Sequence, residues 1–239
     1  SMLTPIGNPQ NLYLYGKSSM SIGGFVLLML PYTLVSLLLL LAWAALVCRK
    51  TSTALSVDEL VSSASQGDQK IILLYLVLFA VCLLSVIRVL PYGIAFAAVL
   101  VCALFADPHT LQAVDYSLLL TFVAFFIFIG NLGRIPAFSG WLQEFLTGRE
   151  VLVAVLASQV TSNVPAALLL SGFTAETQAL IIGTNLGGLG TLIASMASLI
   201  SYRQIARELP QGKKQYFGLF TLSNLIFLAI LLGVWFLLR

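Results

Sequence analysis

Ser158-Gln159-Val160-Thr161-Ser162-Asn163-Val164-Pro165 lies at the centre of an otherwise apolar run from Val151 to Phe173. Each apolar arm is only about ten residues, half of the roughly 20 that a helix needs to cross the hydrocarbon core of a bilayer. Non-helical backbone at membrane depth is tolerated only where protein covers it or where it lines a watery cavity. A re-entrant hairpin, entering and leaving on one side, accounts for both the short arms and the polar tip. The alternative is one kinked span, ending its polar stretch at the helix breaker Pro165, with the polar side chains packed between helices.

The rest of the chain is that of a membrane protein. Of its 239 residues 59% are apolar and 9% are charged, and the mean hydropathy is +1.01. A soluble domain carries roughly 25% charged residues, so too few are present to build a water-facing surface and lipid must cover much of this one. The net charge of +3 is small and scattered, which excludes a nucleic-acid face. Cys48, Cys82 and Cys102 are far apart, form no C-x-x-C pair, and read as small hydrophobes in helices. The single histidine, His109, reads as a loop residue between Pro108 and Thr110. It supplies neither a clustered metal site nor a nucleophile's base, so no enzyme, no catalytic residue and no cofactor beyond a coupling ion is expected.

Outward from the hairpin the spans follow by length. Ile22 to Cys48, with Pro31 as a kink, Ile71 to Ile87, Pro91 to Ala106, Val114 to Ile129 and Phe217 to Leu238 each approach or exceed the crossing length. Only Arg88-Val89-Leu90 separates the second from the third, which predicts a tight helical hairpin, and Trp235 suits a membrane interface. Pro136 to Thr147 is too short to span. It places Phe138, Trp141, Leu142 and Phe145 on one helical face and Gln143 and Glu144 opposite, the pattern of a helix lying in the interface plane. Leu180 to Ile200 is apolar but holds Gly183-Thr184-Asn185-Leu186-Gly187-Gly188-Leu189-Gly190-Thr191 at its centre. Gly183, Gly187, Gly188 and Gly190 each weaken a helix by about 1 kcal/mol relative to alanine, so a discontinuous helix is expected. Gly183-x-x-x-Gly187 is alternatively a helix-packing face; a dinucleotide loop is excluded because no strand precedes it. Arg203, Arg207, Lys213 and Lys214 against Glu208 place the loop from Ser201 to Gln215 in the cytoplasm, with Arg49, Lys50 and Lys70 on the same side.

Shifted by 187 residues, the chain matches itself. Thr4-Pro5-Ile6-Gly7-Asn8-Pro9-Gln10-Asn11-Leu12 falls on Thr191-Leu192-Ile193-Ala194-Ser195-Met196-Ala197-Ser198-Leu199, and a polar link and a long final span follow each stretch. Two copies of one unit are expected, with about one more half-transporter of roughly 150 residues upstream of Ser1. Broken helices suit transport: a half-helix N-terminus attracts an anion, and unwound carbonyls with Ser, Thr or Asn oxygens suit sodium.

The Thr161-Ser162-Asn163-Val164-Pro165 tip, the Gly183-Thr184-Asn185-Leu186-Gly187-Gly188 break and the Gly7-Asn8-Pro9-Gln10-Asn11 stretch resemble the ion-transporter superfamily. That group includes citrate-transporter-like sodium symporters of divalent anions, arsenite efflux pumps and NhaD-type sodium/proton antiporters. Asp115-Tyr116-Ser117 also looks like the family's approach to an aromatic-rich span. The resemblance implies an all-α, polytopic, inverted-repeat secondary transporter, homodimeric, in a bacterial inner membrane. Residues 1–48 would be the end of the first repeat and 49–70 a cytoplasmic linker. Residues 71–147 would be scaffold helices with the dimer contact, and 148–239 the hairpin, broken helix and last span, mobile together with 1–48. The candidate binding residues are Ser158, Thr161, Ser162, Asn163, Val164, Ala194, Ser195, Gly7 and Asn8. Sodium is expected at Ser158, Ser162, Asn163 and the Ala194 carbonyl, and a small anion at Ser195. Val164 stands where the symporters carry threonine, a departure that brings the tip closer to the arsenite-pump and antiporter branches. None of the nine acids falls at mid-membrane: Asp115 and Glu176 lie near span ends and Asp107 in a short loop. Coupling through neutral oxygens follows. The expected activity is transport of a carboxylate, oxyanion or metalloid, driven by sodium or protons. The alternatives are an NhaD-type antiporter and a membrane subunit that does not itself transport.

Overall fold

A computed structural model of the chain describes residues 1–48, 69–209 and 211–239. Among these, twelve α-helices and short 3-10 turns supply the regular structure, and no strand forms. The helices are α1 (Pro9–Lys17), α2 (Ile22–Cys48), α3 (Gln69–Val86), α4 (Tyr92–Ala106), α5 (Pro108–Gln112), α6 (Tyr116–Leu132), α7 (Pro136–Leu146), α8 (Glu150–Thr161), α9 (Asn163–Leu170), α10 (Thr177–Leu186), α11 (Met196–Glu208) and α12 (Lys213–Leu238). The protein is an all-α polytopic membrane protein. Three of the described helices are long and apolar enough to cross a bilayer: α2 over Ile22–Leu46, α3, and α12. Pro31 sits inside α2. Nearly all of the expected linker, including Arg49 and Lys50, lies outside the described residues.

The chain forms two compact units, 41–118 and the combination of 1–40 with 119–239. In the first, α3 and α4 pack together as the expected hairpin, turned by Arg88 at φ 64°. Tyr75 Oη and Thr110 Oγ1 both donate to Asp107 Oδ2 at 2.8 Å, tying α3 to the start of α5. The hydroxyl of Thr110, then that of Tyr75, holds the exposed Asp107 carboxyl below the usual carboxylate range. His109, expected in a loop, is in α5 instead, where Pro108 at the first helical position fixes φ for a short helix.

In the second unit the burial pattern is inverted relative to a soluble protein. The apolar helices α2 and α12 carry exposed leucines (Leu27 is 70% exposed), while all of Leu180 to Leu186, with its polar Thr184 and Asn185, is buried. Lipid covers the first kind of surface, and protein must cover the second. Residues 119–147, expected with the scaffold, belong to this unit. Phe126 meets the Tyr13 ring at 5.6 Å and Phe138 meets Phe173 edge-on at 5.8 Å.

α7 turns 100° from the direction of the 119–132 helix, the geometry of a helix in the interface plane. Its apolar residues divide between protein and the surroundings. Leu142 and Leu146 are buried and Phe138 half-buried, whereas Trp141 and Phe145 are exposed and stack on each other at 5.6 Å. The i, i+4 rows of a helix fall on one face, and Phe138-Leu142-Leu146 is that row. The last crossing also starts earlier than expected, and residues 201–208, expected as loop, continue α11. That hairpin is pinned by Ser201 Oγ and Tyr216 Oη at 2.6 Å and by ring contacts from Tyr202 to Tyr216 and Phe217.

The 187-residue match is visible in the backbone. A 3-10 turn at Pro5–Gly7 precedes α1, and one at Leu192–Ala194 precedes α11. Asn8 at φ −149°, ψ 149° and Ser195 at φ −143°, ψ 139° stand at the N-caps. The Gly7 N–H donates to Thr4 O at 3.1 Å, and Ala194 N–H to Thr191 O at 3.2 Å.

Close packing fixes α10 on α8. A Cβ at Gly183 would stand 2.7 Å from Ala154 Cβ and 2.8 Å from Val151 O. Gly183→Val is therefore expected to lower the midpoint of thermal unfolding in detergent, by the roughly 1–3 kcal/mol typical of overpacking. Gly93→Ala, where nothing lies within 4 Å, is expected to hold or raise it.

Candidate functional site at the hairpin tip and the broken helix

α8 begins at a buried Glu150, whose Oε1 accepts the Gly148 N–H at 3.1 Å in the first turn of the helix. It ends at Thr161, and Ser162 takes φ 75°, ψ 155°. That region is populated almost solely by glycine and costs another residue about 1–3 kcal/mol. The turn aims the backbone into α9, where Pro165 occupies the first turn, a place whose N–H needs no helical partner. The expected helix breaker thus starts the returning helix. The return itself is fixed by two facts: α8 and α9 pack together, and Glu176, just beyond α9, lines the same cavity as Val151 at the beginning of α8. The two arms form a hairpin, not one kinked span.

α10 then runs beside α8 in the same direction, with Gly183 against Val151 and Ala154, and Gly187 against Ser158, where a Cβ would stand 2.7 Å from Oγ. Both readings of the glycines are realised, by different residues. Gly183 lies inside continuous helix and is a packing contact, so it does not belong to the break. The helix stops after Leu186, and Gly187, Gly188 and Gly190 (φ 109°) carry the unwound segment to the 3-10 turn and α11.

Gln159 organises that segment, a role its sequence position did not reveal. Its Nε2 donates to Gly187 O and Leu189 O, both at 2.9 Å, and to Val155 O at 3.2 Å. Its Oε1 accepts the Thr191 N–H at 2.9 Å, and Thr191 Oγ1 donates to Gln159 O at 3.1 Å. The signal for it in the sequence was a neutral hydrogen-bonding side chain within the polar centre of the run.

Four buried side-chain polar atoms have no hydrogen-bond partner among the described residues: Gln10 Nε2, Asn185 Oδ1, Thr221 Oγ1 and, at the tip, Ser162 Oγ. Asn163 is 7% exposed, and its carboxamide makes no hydrogen bond within the described protein; its Nδ2 stands 3.1 Å from where a Gly188 Cβ would be. Ser158, fully buried, donates its proton to Ala154 O at 2.7 Å, which leaves its oxygen lone pairs for another donor or a cation. Ala194 is fully buried where its 3-10 turn packs on α8. Asn8, Ser162 and Ser195 are N-cap residues of α1, α9 and α11 and belong to strongly capping types, yet none of the three side chains caps. Free N–H groups at such ends, with the partial positive charge of the helix, suit an anion. No ionisable side chain occurs in 151–173 or 177–201, and among the described residues no group of three His, Cys, Asp or Glu side chains forms.

The structure therefore brings Ser158, Ser162, Asn163, Gly187 and Gly188 together, with Ala194 beside them. Thr161 is exposed and bonded to Ala157 O at 2.9 Å, and Val164 is packed in the core. Gly7 packs on the backbone of Ser1, and neither it nor Asn8 bonds to the hairpin. Their helix joins the second repeat further along: Asn185 Nδ2 donates to the buried Asn11 Oδ1 at 2.5 Å, and Lys17 Nζ donates to Ser171 O at 2.7 Å. Since Lys17 meets the end of α9 remote from the tip, the N-terminus of α1 points the other way, toward the tip's depth. Asn11 and Asn185 are further buried polar residues that sequence reading passed over.

A re-entrant hairpin tip set against an interrupted helix defines the class of polytopic membrane proteins built around broken helices. Comparison with known proteins narrows that class. The model of the citrate transporter family matches residues 1–181. The inner membrane protein YbiR of Escherichia coli K12 is 34% identical over 211 residues, covering 85% of this chain and 54% of that protein. The uncharacterized transporter MJ0456 of Methanocaldococcus jannaschii is 33% identical over 203 residues, with the same coverage of 85% and 54%. The chain belongs to the citrate transporter family, and it spans about half the length of these relatives. No solved structure matches it.

The strain at Ser162 gives a test of the tip. Ser162→Gly is expected to raise the thermal midpoint in detergent, by up to the roughly 1–3 kcal/mol that the backbone strain stores. Ser162→Ala, which keeps the strain, is expected to leave it near or below the parent value.

Proposed function

We propose that the intact protein is a secondary active transporter in an inner (plasma) membrane, moving a carboxylate anion of the citrate class and coupled to sodium. The observation that carries this reading is the tip itself: Ser162 Oγ is buried without a partner, and beside it the carboxamide of Asn163, a residue 7% exposed, makes no hydrogen bond within the described protein, on a strained turn that faces unwound backbone. Buried polar groups are normally satisfied, and an unsatisfied one is expensive. Here the missing partners are the transported ion and substrate. Sodium is held by neutral oxygens, Ser158 Oγ, Ser162 Oγ, the Asn163 carboxamide oxygen and the Ala194 carbonyl. The anion sits where α9 and α11 begin, on their free N–H groups and the Ser195 hydroxyl. The absence of ionisable residues from 151–173 and 177–201 favours sodium over a titrating carboxylate as the coupling device in this half of the site. The family's description as citrate transporters and the relatives' names support the substrate class and the membrane.

In proteoliposomes, labelled citrate uptake driven by an inward sodium gradient is expected to exceed uptake driven by potassium. Asn163→Ala is expected to lower the sodium-driven component by about tenfold or more, since it removes a ligand and leaves its neighbours unpaired. Equal uptake with either cation, or undiminished uptake by an inserted Asn163→Ala protein, would overturn the reading.

A further inference from the structure

We infer that Gln159 is the positioning residue of this site, the clasp through which the hairpin tip sets the shape of the unwound segment. The inference rests on the proposed transport function and assigns that site a residue beyond its ion and substrate ligands.

The geometry leaves little freedom for another side chain. The clasp must donate to two carbonyls, Gly187 O and Leu189 O, and accept from one N–H, that of Thr191, at a single place. A primary carboxamide offers donor and acceptor at one end; a carboxylate cannot donate, an ammonium cannot accept, and an alkyl group does neither. The loop is shaped for it in turn. Gly190 stands at φ 109°, and a Cβ there would collide with the Gln159 carboxamide. The two carbonyls follow the end of α10, where backbone acceptors have no helical partner. Unclasped, they would compete for a cation with the ligands at the tip. Clasped, they are occupied, and Gly188, between them, is held against Asn163. Gln159 also adjoins Ser158 in the chain, so a shift of the clasp moves the ion's side of the hairpin directly. The hairpin and the break then change conformation as one body.

Gln159→Glu turns the clasp into a titratable one. The carboxylate faces Gly187 O and Leu189 O without a proton to give them, while the neutral acid regains one donor and keeps its acceptor for Thr191. Repulsion and burial raise that carboxyl's pKa. On α8 the ionisable side chain is Glu150, at its first residue, and α9, α10 and the unwound segment carry none; of the elements packed on them, α1 carries Tyr13, Tyr15 and Lys17, the last bonded to Ser171 O at the end of α9 remote from the tip, and α12 carries Lys213, Lys214 and Tyr216 at its start.

The experiment compares parent, Gln159→Glu and Gln159→Leu in the intact membrane-inserted protein. One readout is the half-saturating sodium concentration for citrate uptake; the other is hydrogen exchange of residues 187–191, which does not depend on transport. For Gln159→Glu, half-saturating sodium is expected to rise about tenfold at about pH 8 and to return to within about threefold of the parent at about pH 5.5. Exchange at 187–191, compared with the parent at each pH, is expected to rise and fall in step. Gln159→Leu is expected to stay impaired and fast-exchanging at both. A Gln159→Glu protein matching the parent at both pH values in exchange overturns the clasp, as does one equally loosened at both. Parent protein that moves no citrate with sodium overturns the transport reading instead, and the exchange data still decide the clasp.

Discussion

In hydrocarbon every backbone N–H and C=O must find its partner inside the protein, because the solvent offers none. This chain interrupts helices within apolar segments at least twice, after Thr161 and after Leu186, and the arrangement of the second unit follows from satisfying those interruptions. The polar tip and the glycine-rich break are placed against each other, and α1 packs on α9 and α10. The interior is therefore more polar at its centre than the surface that lipid covers. Gln159 takes up the Gly187 and Leu189 carbonyls and the Thr191 N–H of the break, and at the tip Ser162 Oγ is left without a partner.

Small residues make this possible. Gly183 and Gly187 let α10 come against α8 closely enough for Ser158 and Asn163 to reach the break. Ser162 bears the backbone strain that a glycine would relieve. Strain and unsatisfied polarity coincide at a single residue, Ser162, and the proposed binding role rests on that coincidence.

Much of this was legible in the sequence, and the reason differs by element. The apolar lengths gave α2 and α3 within a residue or two, because crossing length is a hard constraint. The 187-residue repeat was readable because Thr4-Pro5 and Thr191-Leu192 dictate the same extended cap and 3-10 turn. The hairpin was readable from a polar centre flanked by short arms. What sequence could not rank was the glycines: four breakers in eight residues do not say which one packs and which one unwinds. Gly183 was misassigned on that account. The apolar face of α7 was readable from its spacing, but which of its residues meet protein was not: the Phe138-Leu142-Leu146 row packs inward, while Trp141 and Phe145 stay exposed. Gln159 was invisible as a clasp because its partners are backbone groups about thirty residues away, and backbone leaves no mark in a sequence.

The account stands on the hairpin tip meeting the unwound segment, and one cross-link tests that meeting. Asn163 and Gly188 are replaced together by cysteine in the membrane-inserted protein, with Cys48, Cys82 and Cys102 changed to serine. The observed approach of Asn163 Nδ2 to 3.1 Å from the Gly188 Cβ position puts the two side chains in contact, so that a small adjustment brings the new cysteines to the roughly 3.5–4.5 Å Cβ separation of a disulfide. Mild oxidation is predicted to join residues 163 and 188 within one chain, seen as a linked peptide pair by mass spectrometry. Two thiols that remain free and separately alkylated under the same oxidation would contradict the account.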